Sequence, residues 1–210
     1  MKRVVVLASG GLDSSTLACK LTREGFKVYG IFIDYGQSMA KAELGAAKFI
    51  ATWAGFNLID IKMPLDESLL MGCLFNSKPQ PWETNFVSFF PQRNLLLLTI
   101  ASMYAQKQDI YDIYIGVIKN TDPFPDTTSS FIVACESILN MSYAGVKINY
   151  PFAELDKASV LLLAKNMGLP YEDTFSCEMA NDHHCMQCPS CLDRYWAEQK
   201  VNINRGFDNA

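Results

Sequence analysis

Several absences narrow this 210-residue chain before any motif is read. Half of its residues are apolar, yet no run of eighteen occurs, so a core is expected and a membrane span is not. The apolar stretch that follows Lys2 and Arg3 is too short for a secretory signal and leads straight into a glycine-rich turn. It reads as a first strand, and a cytoplasmic protein is expected. An excess of positive charge is missing too. Eighteen basic residues against 22 acidic ones give a net charge of −4, which speaks against nucleic acid as a partner. Histidine is nearly absent. The only two, His183 and His184, are adjacent, so a Ser-His-Asp hydrolase would find no base elsewhere. No internal repeat, low-complexity segment or flexible linker stands out, and the length suits one α/β domain with a small appendage.

Cysteine, by contrast, is present and unevenly placed. Cys19, Cys73 and Cys135 are isolated in apolar surroundings and read as buried thiols. The other four fall within fifteen residues, as Cys177, Cys185, Cys188 and Cys191. An odd total with one tight cluster points to metal binding rather than a disulfide framework. Two neighbouring Cys-x-x-Cys spacings can each grip a metal from one turn, and four thiolates satisfy tetrahedral Zn²⁺. An iron–sulfur cluster takes the same number of ligands. His183 and His184 lie inside this loop and read as exposed residues, because four cysteines already close the shell. A closed shell is structural, not Lewis-acidic.

The stretch around which the chain is organised is Ser9-Gly10-Gly11-Leu12-Asp13-Ser14-Ser15. It joins an apolar strand to a helical stretch, Thr16 to Glu24. A strand, a glycine turn and a helix N-terminus make an anion cradle of backbone N–H groups. Gly10 and Gly11 allow close approach and positive φ. Ser9, Ser14 and Ser15 can donate hydroxyls. Asp13 is out of place beside an anion unless it holds Mg²⁺ or orients a donor. No lysine sits where a Walker loop needs one, and Gly-x-Gly-x-x-Gly is absent.

Along the chain, strands are expected at Arg3–Ala8, Lys27–Asp34, Phe56–Ile61 and Asp112–Val117, with an extended piece at Lys147–Pro151. Helices are expected from Met39 to Ala54 behind a Ser38 cap, from Leu95 to Lys107, from Thr127 or Thr128 to about Met141, and after Asp156. The β-α-β-α-β order implies a doubly wound, mostly parallel sheet with sites at the carboxyl ends of its strands. Residues 1–169 form that domain, and 170–210 a cysteine module packed on it. The irregular, aromatic Leu65–Phe90 segment is expected to cover the site or to form a homodimer contact. Arg93, at the start of an apolar helix, suits a phosphate or carboxylate.

The loop resembles the pyrophosphate loop of the ATP pyrophosphatases. Together with the four-cysteine tail, the chain resembles the 7-cyano-7-deazaguanine synthase family of the queuosine pathway over nearly its whole length. The resemblance rests on Ser9 to Ser14, Asp34-Tyr35-Gly36-Gln37, Pro91-Gln92-Arg93-Asn94, Gly116-Val117, Pro125-Asp126 with Phe131, Lys157, and Ser176 through Cys191. It implies that ATP activates the carboxylate of 7-carboxy-7-deazaguanine as an acyl-adenylate. Ammonia then gives the amide, and a second ATP leads to the nitrile. It implies that Ser9, Asp13, Ser14 and Arg93 act on the phosphates and that Ser9 to Ser15, Asp34, Tyr35, Gln37, Arg93, Asn94 and Gly116 hold ATP. Lys119, Asn120, Asp122, Phe124 and Asp126 would face the deazaguanine. Lys157 would touch phosphate or be a solvated helix lysine.

The chain also departs from the family. Ser38-Met39 replaces the usual Arg-His, with one extra residue before Glu43, and Gln92 replaces a glycine. Asp122 to Thr128 is shorter than the usual substrate segment, and Met186 replaces a glycine after the second cysteine. A paralogue that passes the activated acid to another amine, such as a protein amine, is therefore an alternative. A non-catalytic ATP-binding module is a third reading, against which the intact Asp13 and Arg93 count. A tRNA thiolase is a weaker one.

Overall fold

The structure is a computed structural model that describes residues 1–69, 90–119, 124–142, 144–179 and 182–208. Among the described residues, five strands form one all-parallel sheet in the order β3-β2-β1-β4-β5. They are β1 (Arg3–Leu7), β2 (Lys27–Asp34), β3 (Asn57–Lys62), β4 (Asp112–Tyr114) and β5 (Lys147–Asn149). The long helices are α1 (Leu12–Arg23), α2 (Ala40–Ala54), α3 (Arg93–Lys107), α4 (Ser129–Ser142), α5 (Lys157–Asn166) and α6 (Pro189–Asp208). No helix among the described residues is long and apolar enough to cross a membrane.

β1 reads as a continuous apolar run because both of its faces are covered. Val5 and Leu7 point to one side, with Ile31, Ile33 and Ile113, into a cluster closed by Leu98 and Ala101 of α3 and Ile132 and Leu139 of α4. Val4 and Val6 point to the other, against Leu17 and Leu21 of α1 and Val160 and Leu161 of α5. Ala197 and Val201 of α6 join that second cluster, so the tail shares the core of the sheet domain.

From β1 the chain builds outward to β3, then crosses back to β4 on the other side of β1. The order therefore reverses between β1 and β4, and a crevice opens beyond their carboxyl ends.

Several boundaries differ from the sequence expectation, most by one or two residues. α1 begins at Leu12, not Thr16, because extended Gly11 is already its cap, at φ −74° and ψ 165°. Met39, not Ser38, holds the cap position of α2, and its side chain makes no capping hydrogen bond. Pairing of β4 stops at Tyr114, although Ile115 N still donates to Asn149 O at 3.0 Å. The extended piece near Lys147 is a fifth strand that pairs with β4. The expected cap at Asp156 is present, its side chain accepting from Ser159 N at 2.8 Å. Residues 70–89, which make up most of the Leu65–Phe90 segment, lie outside the described residues, as does Cys73.

Candidate active site

The crevice is a cleft of about 350 Å³ between the loop after β1, the start of α3, the strand end at Gly116 and the segment leading to the cysteines. Its floor is the glycine-rich loop. The first bond of α1 runs from Ser15 N to Gly11 O at 3.0 Å, so the N–H groups of Leu12, Asp13 and Ser14 lead the helix. Ser9 Oγ and Ser14 Oγ are 3.0 Å apart, and Ser14 Oγ donates to Gly11 O at 3.2 Å. Gly10 has φ +79°, and a Cβ there would lie 2.2 Å from Glu43 O of α2. Its own carbonyl accepts from Phe175 N at 2.9 Å. A Cβ on Gly116 would come within 3.1 Å of Ser14 N, so this strand end also presses on the loop.

Asp13 sends Oδ2 to Lys157 Nζ at 2.7 Å, while its Oδ1 is buried without a partner. Lys157 stands 3.7 Å from Asp193 of α6, which ties the loop to the tail. Burial pulls the Lys157 ammonium down, but Asp13 and Asp193 outweigh it and hold it above the usual lysine value. Lys157 is thus an anchored cation on the cleft wall, not a solvated helix lysine.

On the opposite side, Gln37 is a fastener. Its Oε1 accepts from Tyr35 N at 3.0 Å, and its Nε2 donates to Ile33 O at 3.2 Å and to Glu43 Oε2 at 2.9 Å. Buried Tyr35 stacks on Phe90, with ring centres 6.2 Å apart, and burial pushes its hydroxyl up to about 12. Burial likewise pushes the Glu43 carboxyl up to about 7, against the Gln37 hydrogen bond and the charge of Arg93. Arg93 opens α3 behind Gln92, which is left-handed at φ 60°. Asn94 N donates to Asp126 Oδ2 at 3.2 Å, and Asn94 Nδ2 to Asp126 O at 2.8 Å.

Of the residues expected to hold ATP, Ser9, Gly11, Leu12, Asp13 and Ser14 line the cleft, as do Tyr35, Gln37, Arg93, Asn94 and Gly116. Gly10 supports the loop from behind. Ser15 is buried in the first turn of α1 and stays off the wall. Asp34 also stays off it, because its Oδ1 accepts from Gly36 N at 3.1 Å. Of the described residues expected on the substrate side, Phe124 alone lines the cleft. Lys119 is exposed outside it, its N–H bonded to Leu155 O at 2.9 Å. Asp126 is buried behind the wall, where it holds the start of α3. Asn120 and Asp122 lie outside the described residues.

Glu43, Glu178 and Ser190 were missed by sequence reasoning, and all three line the cleft. Ser190 Oγ donates to Glu178 Oε1 at 2.8 Å. The helical register of α2 offered the one usable signal for Glu43, since Ala46, Ala47 and Ile50 define its buried face.

Cys177 lines the outer wall and brings the other three cysteines of its cluster up to it. The four sulfurs all lie within 4.8 Å of one another, and Cys185 and Cys191 are 4.0 Å apart. That is far beyond a disulfide and close to the sulfur–sulfur edge of about 3.8 Å in a tetrahedral zinc–thiolate site. Backbone N–H groups of Met179, Cys188 and Cys191 point at the sulfurs of Cys177, Cys185 and Cys188, at 3.3–3.4 Å. Such donors suit thiolates, so the donor set fits a closed four-sulfur metal site. His184 instead packs its ring on Phe175, with centres 5.3 Å apart, and His183 pairs with Asp182. Arg194 of α6 staples the site to the domain, donating to Thr174 O at 2.9 Å and to Tyr171 O at 2.8 Å.

Comparison with known proteins places this geometry. A family model described as "Queuosine biosynthesis protein QueC" matches residues 3–202. The chain is 35% identical to 7-cyano-7-deazaguanine synthase 1 of Desulfitobacterium hafniense (strain Y51), over 94% of this chain and 91% of that protein. It is also 35% identical to 7-cyano-7-deazaguanine synthase of Aquifex aeolicus (strain VF5), over 91% of this chain and 94% of that protein. Among solved structures, a 4-thiouridine synthetase in complex with RNA and bound ATP matches at TM-score 0.57 and 18% identity, over 96% of this chain and 50% of the other. NMN synthetase from Francisella tularensis matches at TM-score 0.52 and 16% identity, over 95% and 85%. These two likenesses concern the fold alone.

Proposed function

The chain belongs to the QueC family of queuosine biosynthesis proteins, and from that membership we propose that it is an ATP-dependent ligase acting on 7-carboxy-7-deazaguanine. ATP adenylates the carboxylate with loss of pyrophosphate. Ammonia displaces AMP to give the amide, and a second activation leads to the nitrile. One observation supports the reading: the glycine-rich loop, Arg93 and Cys177 of the four-cysteine cluster line one cleft at the point where strand order reverses.

The residues divide the work by position. The N–H groups of Leu12, Asp13 and Ser14, with the hydroxyls of Ser9 and Ser14, receive the phosphates. Arg93 and Lys157 supply positive charge where negative charge develops. Asp13 keeps a free buried oxygen, Oδ1, as a ligand for Mg²⁺. When bound, that ion neutralises the departing pyrophosphate. Tyr35 and Gln37 form the adenosine side. Phe124 and the wall carrying Phe175 and Ser176 enclose the heterocycle. Cys177, Cys185, Cys188 and Cys191 hold Zn²⁺, whose place in the fold is structural.

Mass spectrometry of the products from 7-carboxy-7-deazaguanine, ATP, Mg²⁺ and ammonium, with AMP and pyrophosphate counted, tests the proposal. Nitrile with two AMP per product is expected. Amide without nitrile would favour transfer of the activated acid to another amine, and the shortened Asp122–Thr128 segment is the feature that supports this second reading. No AMP would overturn the substrate assignment. Asp13→Asn keeps an acceptor for Lys157 while removing the charge. Pyrophosphate release should fall at least ~100-fold, with zinc content unchanged.

A further inference from the structure

Glu43 and Glu178 are the carboxyls of the cleft for which the ATP-binding parts leave no task, and Glu178 is engaged by Ser190. Glu43 projects from α2 beside the phosphate loop, and its backbone carbonyl abuts Gly10. One oxygen, Oε2, is fixed by Gln37. Among the described residues no donor engages Oε1, and the residue is half-buried, so this oxygen is left to the cleft. The groups that bear on it are Arg93 at the start of α3, Tyr35 and Asp34 at the end of β2, and Glu178 on the cysteine wall. A carboxylate next to bound polyphosphate is electrostatically costly. Its presence asks for a positive or proton-donating ligand.

We infer that Glu43 is the proton acceptor for the attacking nitrogen, taking a proton from ammonium at the cleft. This rests on the adenylation reading above. Ammonium carries an extra proton at neutral pH and has no lone pair to attack with. One proton passes from the ammonium nitrogen to Glu43 Oε1. The freed lone pair forms the C–N bond to the acyl carbon, and the bond from that carbon to the phosphate oxygen breaks. AMP keeps the bonding electron pair, and its phosphate takes the second proton that the new amide nitrogen loses. A carboxyl that titrates near neutrality is suited to this exchange. The charge of Arg93 favours the carboxylate form.

Hydroxylamine provides the test, because it is an uncharged nucleophile at neutral pH and needs no such base. Glu43→Gln keeps the shape and the hydrogen bond from Gln37. Amide formation from ammonium should fall by about 100-fold or more, while hydroxamate formation falls far less. The hydroxamate-to-amide ratio should therefore rise by at least ~30-fold relative to the parent. In the parent, the rate with ammonium should rise with pH and level off above about 7, whereas in the variant it should keep climbing toward the pKa of ammonium, because only free ammonia is left to attack. Equal loss with both nucleophiles would overturn the inference and leave Glu43 a positioning residue for Gln37. Full activity with ammonium would overturn it too. Should the glutamine variant fold poorly, Glu43→Asp keeps a carboxylate, and a ratio close to the parent's is expected. A parent that makes neither hydroxamate nor AMP sinks the adenylation reading itself, an outcome distinct from a failure confined to the variant.

Discussion

The two walls of the cleft are held by different forces. The phosphate loop is set by backbone packed on backbone. Gly10 lies against the Glu43 carbonyl, Gly116 presses on Ser14, and Phe175 N closes onto Gly10 O. None of this needs a ligand. The cysteine wall has a small apolar cluster of Met39, Ala46, Phe175 and the thiols themselves, plus the Arg194 staple. The hydrogen bond with the Cys191 thiol, and then burial, raise the Cys188 thiol, and burial raises Cys177. A divalent metal reverses that preference and turns four crowded thiols into bonds. One wall is therefore preformed and the other is assembled.

The largest effect should come from removing the metal. Zinc–thiolate binding is worth on the order of 10 kcal/mol in small metal domains, so strong chelation, or Cys188→Ser, should lower the melting temperature sharply. The loss should also be local. Hydrogen exchange should rise across residues 177–192 first, while amides of β1 and the first turn of α1 stay protected. If the loop opened together with the knuckle, the two walls would be one cooperative unit, coupled through Lys157 and Asp193.

Gly10→Ala breaks the other wall. A methyl group 2.2 Å from a carbonyl oxygen cannot stay where it is, and the site is left-handed at φ +79°. A cost of about 3 kcal/mol is expected from crowding and backbone strain together. AMP formation should fall at least ~100-fold, with zinc content near one per chain. Elemental analysis beside a pyrophosphate assay separates the two walls directly.

The same contrast explains what was legible in the sequence. The loop and the cysteines are local patterns, so their roles in the fold could be read from spacing alone. The parallel sheet followed from apolar runs that alternate with helices. Side chains whose duty is set by distant partners could not be read. Asp126 reads as a wall residue, but it is buried with its Oδ2 accepting from the backbone N–H of Asn94, 32 positions away. Lys157 gains its partner Asp13 across 144 positions. Glu43 is a mere landmark after the Asp34–Gln37 turn in the sequence, because only the fold brings its helix turn against Gly10. Ser15 fails for a nearer reason: α1 begins four residues sooner than expected, which turns that serine into the helix.

The smallest effects sharpen the comparison at two positions where this chain lacks a glycine usual in the family it resembles. Gln92 precedes Arg93 on the preformed side, and Met186 lies inside the cysteine loop on the assembled side. Both keep the left-handed backbone that glycine favours, with φ 60° and φ 56°. Both side chains are exposed, so replacing them removes little packing. A non-glycine residue in this conformation costs roughly 1–2 kcal/mol, and glycine's extra freedom in the unfolded chain returns about 0.5–1 kcal/mol of that. Gln92→Gly should therefore stabilise the protein by about 0.5–1 kcal/mol, read as a higher denaturation midpoint at unchanged slope. Met186→Gly should give the same gain in the zinc-loaded protein and much less after chelation, because its left-handed turn is worth holding only while the sulfurs hold it. Equal gains with and without metal would mean that the cysteine loop is as preformed as the phosphate loop.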